Sequence, residues 1–209
     1  MGKVIALCAL AVAALSGPAR CADIEAADGR IYINPTSYEL KWDNGTLGSA
    51  GVHGAAGTWI GNEFDTSTLA AKTVKTIRFY SCDNWPNSQW DGFNVAIFLF
   101  RNGVPTNMLW GPRFVIGEGT EYNWCDATVD FELPKWSDHF VAAAEQIYAQ
   151  PDADPYCLDT APSRRRTWKR AQSIWQLFPA ETNLMLRVVM EGEIGIEPVS
   201  MGRVKALYY

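Results

Sequence analysis

The stretch Phe93–Phe100, FNVAIFLF, limits the possible folds of this chain more than any other. Written as an extended strand, it places Phe93, Val95, Ile97 and Leu99 on one face and Ala96, Phe98 and Phe100 on the other, with Asn94 as its one polar residue. A strand that is apolar on both faces must be covered on both, so it belongs inside a sheet. Asp91-Gly92 before it and Asn102-Gly103 after it are turn pairs that leave too little length for a buried helix.

The rest of the chain alternates between apolar segments and turns. Val74–Cys82 reads as a strand with Ile77 and Phe79 inward. Cys125–Leu133 has Ala127, Val129, Phe131 and Leu133 on one side and Asp126, Thr128, Asp130 and Glu132 on the other. Phe140–Tyr148 reads as a strand, although Ala142–Ala144 would also suit a helix. Ile31–Ile33, Tyr38–Leu40, Met108–Trp110, Arg113–Ile116 and Leu184–Met190 are shorter strands, and Gly111-Pro112 separates the third from the fourth. Residues 45–61, rich in Gly and Ala, read as a long loop or a set of close-packed turns. Short strands, frequent turns and no amphipathic helix predict an all-β fold, an antiparallel two-sheet β-sandwich. Residues 38–194 are expected to form this one domain, with 20–37 as a lead-in and 195–209 as a tail.

Lys3, the apolar run Val4–Leu15 and the small residues around Gly17-Pro18-Ala19 predict a signal peptide over residues 1–19. The run is too short to span a bilayer, so the mature chain is expected to be secreted or extracytoplasmic, without a transmembrane segment. A formal net charge of -5 disfavours nucleic acid as a partner. Export permits disulfides, and cleavage after Ala19 leaves Cys21, Cys82, Cys125 and Cys157. If successive strands run up and down, Cys82, Cys125 and Cys157 meet at one pole with Trp85, Trp90 and Trp124. A disulfide between two of the three is expected, with Cys82–Cys125 preferred, worth about 3–4 kcal/mol if unstrained. All three pairings of four cysteines remain open.

The chain has nine Trp. Exposed indoles bind sugar rings and protein surfaces, which makes Trp85, Trp90 and Trp124 candidate ligand-binding residues. Trp168, among Arg164, Arg165, Arg166, Lys169 and Arg170, is a further candidate for stacking on a sulfated or phosphorylated glycan; a charge-guarded edge strand is the preferred reading of that segment. Asp126, Asp130 and Glu132 are carboxylates suited to glycoside hydrolysis, but their alternation marks a solvated strand face. Asp152, Asp154 and Asp159 offer oxygen ligands to calcium, without EF-hand spacing, and turn formation explains them better; Asp43 and Asn44 are a second such option. No catalytic residue, metal ligand or cofactor is expected beyond that optional calcium. The two histidines, His53 and His139, lack triad spacing: Ser137 and His139 lie too close along one strand, and no Gly-x-Ser-x-Gly or His-Glu-x-x-His occurs.

The succession Trp42-Asp43-Asn44-Gly45, a Gly-rich stretch, Ile77–Tyr80, Phe93–Ile97 with Asn102-Gly103 and Pro105, then Leu184–Gly192 resembles the jelly-roll-type sandwich domains of exported bacterial proteins. Such domains are often appended to extracellular proteases or surface proteins. The resemblance covers residues 40–192 and carries structural motifs only. It implies an adhesive, carbohydrate-binding or stabilising module. The expectation is a non-catalytic module that binds a glycan or a cell-surface partner through aromatic loops at one end. The alternatives are a glycan-active hydrolase using Asp130 or Glu132 and a structural cell-envelope subunit.

Overall fold

The computed structural model describes residues 30–34, 37–51, 55–69, 72–81, 92–116, 122–149, 156–178 and 182–191. Its strands are β1 (Arg30–Asn34), β2 (Ser37–Leu40), β3 (Leu47–Gly51), β4 (Thr58–Asp65), β5 (Thr73–Ser81), β6 (Phe93–Arg101), β7 (Val104–Val115), β8 (Asn123–Glu132), β9 (His139–Gln146), β10 (Tyr156–Asp159), β11 (Thr167–Ala171), β12 (Ile174–Leu177) and β13 (Leu186–Glu191). There is no helix among the described residues. A five-stranded sheet runs β1-β2-β13-β5-β8, a six-stranded sheet runs β12-β11-β4-β9-β6-β7, and β10 and β3 form a ribbon. All strand pairs are antiparallel. The protein is an all-β, two-sheet sandwich.

β6 lies between β9 and β7, as its two apolar faces require. Phe93, Val95 and Ile97 face the five-stranded sheet and share one core with Ile77 and Phe79 of β5 and Val188 of β13. Phe79 and Phe93 meet edge to face at 4.9 Å across the two sheets. Each such side chain, fully buried, contributes about 2–3 kcal/mol. The other face of β6 is covered differently from the flanking sheet that its pattern suggests. Ala96 and Phe98 pack with Trp59, Val141, Ala143 and Trp168 in a second cluster, roofed by Phe100 and Trp175. The six-stranded sheet curls until β12 comes within 8 Å of β7, which brings Trp175 onto Phe98 at 5.0 Å between ring centroids.

Several segments depart from the sequence reading. Residues 45–61 are not one loop: they hold β3 and the start of β4, and β4 is buried along nearly its whole length. Its polar letters hid it. Asn62, fully buried, points to the opposite sheet and donates Nδ2 to the carbonyls of Leu184 and Leu186, both at 2.9 Å. Gly61 is there because a Cβ would sit 2.3 Å from the Ala142 carbonyl oxygen on β9. Met108–Trp110 and Arg113–Ile116 are not separate strands. One strand, β7, runs through the cis Gly111-Pro112 bond, and its place at the sheet edge tolerates a residue without an N–H. The Ala-rich segment is the interior strand β9, not a helix; its small side chains let β4 and β6 pair closely on either side. The basic segment is not itself an edge. β11 is the second strand in, and the edge belongs to β12, reached through a turn with positive φ at Gln172 and Ser173.

Candidate functional site

The outward face of the six-stranded sheet is built by alternation. β4 turns Trp59 and Glu63 outward, β9 turns His139, Val141 and Ala143 outward, and β6 turns Ala96, Phe98 and Phe100 outward. Glu63 is buried on this face and fully engaged. Its Oε1 accepts from Arg166 Nη1 and lies 3.1 Å from His139 Nδ1, and its Oε2 accepts from Trp168 Nε1 at 3.2 Å. Without such partners a buried carboxylate would leave its oxygens unsatisfied in an apolar setting. The His139 ring packs against Phe100 at 5.8 Å, and its Nε2 lies 4.0 Å from Asp65 Oδ1.

A cavity of about 520 Å³ opens at the His139 end of this face. One wall is Phe100, Arg101 and Asn102, where β6 turns into β7; the other is Trp136, Ser137, Asp138 and His139, where β8 passes to β9. Asn102 and Gly103 both have positive φ, which suits a tight hairpin. Trp136 is 66% exposed. The loop that presents it is held from several sides. Lys72 Nζ donates to the Ser137 carbonyl at 2.9 Å and to Asp138 Oδ1 at 2.9 Å, Ser137 Oγ donates to the His139 carbonyl at 2.8 Å, and Thr66 N donates to the Asp138 carbonyl at 2.7 Å. The indole is therefore open, on a loop whose backbone is held before any ligand arrives. The volume lies in the range of small-molecule sites.

The residues singled out from the sequence fall elsewhere. Trp85, Trp90, Cys21, Cys82, Asp152, Asp154 and the expected signal peptide lie outside the described residues. Trp124 is half-buried on the outer face of the five-stranded sheet. Its ring is covered by Arg187, whose Cζ is 4.2 Å from the centroid, and flanked by Tyr80 at 5.1 Å. Arg187 is fixed there by Asp43 and Glu39. Burial works against its charge, but the hydrogen bonds and charges of those two carboxylates prevail, and its pKa lies above the ordinary arginine value. Trp168 is 7% exposed and packs on Phe100 at 5.5 Å, so its ring serves the second cluster and is closed to a ligand.

Asp126 and Asp130 are exposed and ion-paired with Arg78 and Lys75, and Glu132 is exposed. Asp159 is an internal tie: its carboxylate accepts from the backbone N–H groups of Asn44 and Asn183, both at 2.9 Å, and Asp43 is taken up by Arg187. Neither is left available to calcium. Cys125 and Cys157 are buried at one end of the sandwich. Cys125 pairs with Phe79 in register, and Tyr156 beside Cys157 packs its ring on Phe79 at 5.5 Å. No disulfide is formed among the described residues.

Trp136 went unnoticed in the sequence because it stands alone in Leu133–Asp138, with no apolar pattern around it. That isolation was the available signal. A Trp in a polar turn has no core to enter.

No family model matches the chain, and no curated protein does. Among solved structures, the chain is similar to the cysteine protease and lectin-like domains of Cwp84, a surface-layer-associated protein of Clostridium difficile, with 12% identity and a TM-score of 0.48. The match covers 65% of this chain and 32% of that one, so the chain spans about a third of that protein's length.

Proposed function

We propose that this protein is an exported, non-catalytic sandwich module of jelly-roll type that binds a glycan through the cavity beside Trp136. The topological part is supported by the strand order. β2-β13-β5-β8 faces β4-β9-β6-β7, and among these eight strands the chain alternates between the sheets except at the β6–β7 hairpin, the wrapping of two interlocked Greek keys.

The observation that carries the binding reading is the exposed indole of Trp136 on a loop pinned by Lys72. A flat apolar ring covers the C–H face of a sugar, and the flanking carboxamide of Asn102 and carboxylate of Asp138 are groups that hydroxyls pair with. Among the described residues, the Asn102 and Trp136 side chains have no hydrogen bond, ion pair or ring contact, so no internal partner has to be broken on binding.

A glycan array probed with the exported chain tests this. Binders should appear, and Trp136→Ala should weaken the best of them by about 2 kcal/mol, roughly thirtyfold, as for an aromatic anchor at the centre of a site. Unchanged affinity in that variant refutes the placement of the site.

A further inference from the structure

We infer that the glycan held at the Trp136 cavity is acidic and that Arg101 selects it; this rests on the glycan reading above and narrows it. Two carboxylates around the cavity are already paired with cations. Asp138 is paired with Lys72 at 2.9 Å. His139 turns Nδ1 to Glu63, which also holds Arg166, and its Nε2 lies 4.0 Å from Asp65. Among the charged residues that line the cavity, Arg101 is left over. It lines the cavity, is exposed, and makes no ion pair or hydrogen bond among the described residues.

That leftover cation has a definite chemistry. A guanidinium presents a planar fork of donors that matches two oxygens of a carboxylate, or of a sulfate or phosphate ester. A neutral sugar gives it hydroxyls only, with no charge to meet its own. Arg101 directly follows Phe100 and precedes the Asn102-Gly103 turn, so its origin is fixed by the β6–β7 hairpin, while the Trp136 loop is fixed separately by Lys72. Two independently held walls thus offer one ring-stacking surface and one anion receptor, the pair needed for a pyranose carrying an acidic substituent. The chain carries a formal net charge of -5, so a basic field of the whole protein does not account for such a preference.

The experiment compares three probes that share one sugar: oligosaccharides of galacturonate, of 6-sulfated galactose and of unmodified galactose. Each is titrated calorimetrically against the full chain, Arg101→Gln and Trp136→Ala. The expected result is that one or both acidic probes bind at least about tenfold more tightly than the neutral one, with an affinity that falls as salt rises. Arg101→Gln should erase that margin by weakening the acidic probes at least about tenfold more than the neutral one, and Trp136→Ala should weaken all probes that bind. Carboxylate and sulfate sources are separated by which acidic probe leads. Equal binding of all three, or a margin that survives Arg101→Gln, overturns this inference and leaves the glycan reading standing. Binding of none overturns both.

Discussion

Asn62 is the strongest single test of how the two sheets are held. It is fully buried on β4, and its side chain crosses the core to the segment entering β13. Nδ2 serves the carbonyls of Leu184 and Leu186 at 2.9 Å, and Oδ1 accepts from Thr167 Oγ1 at 2.8 Å. Asn62→Ala removes these bonds and leaves the Thr167 hydroxyl buried without its acceptor. The two carbonyl bonds are worth about 1 kcal/mol each net, and stranding the buried Thr167 hydroxyl costs about 1–2 kcal/mol. The expected loss is therefore about 3–4 kcal/mol, a large part of the roughly 5–15 kcal/mol typical of a domain. With a urea slope of about 2 kcal/mol/M, the unfolding midpoint should fall by about 1.5–2 M. Thr167→Val alone should cost about 1–2 kcal/mol, and the double variant should cost less than the sum by about 1 kcal/mol, because the two side chains share a bond. The folded fraction of Asn62→Ala should keep its glycan affinity, since the side chain points away from the cavity. A loss under about 1 kcal/mol, or strict additivity, would refute the claim that this amide ties the sheets together.

Two further variants probe other ties. Gly61→Ala forces a Cβ to 2.3 Å from the Ala142 carbonyl oxygen and 2.5 Å from the Ala143 Cβ, so β4 and β9 must part, with an expected loss of about 2–3 kcal/mol by chemical denaturation. Arg187→Met strands the buried carboxylate of Asp43, leaves Glu39 with Arg78 alone and uncovers Trp124; the expected cost is about 3 kcal/mol, accompanied by a change in indole fluorescence. A variant as stable as the parent would show that the Arg187 cluster contributes nothing net.

The parts of the fold that were legible in the sequence are those where periodicity and composition agree. β6 has both faces apolar and bounding turns, and it stands inside its sheet. β8 alternates cleanly and is exposed on its charged side. β4 was illegible because Gly61, Asn62 and Glu63 look like loop residues until their partners are known, and those partners lie on β9, on β13 and beside β11. Likewise the basic letters around Trp168 could not reveal that one of them, Arg166, neutralises a buried glutamate.

The chain's own order of residues was enough to settle the class: alternating apolar faces separated by turn formers have to stack as sheets, because nothing else removes both faces of FNVAIFLF from water. Where the functional surface lies was decided only by the tertiary structure. An indole's exposure depends on what the rest of the chain leaves uncovered. Arg187 closes over Trp124 and the curled sheet encloses Trp168, whereas Trp136 stays in solvent on a loop that Lys72 pins. Those contacts join residues far apart along the chain, and local sequence carries no record of them.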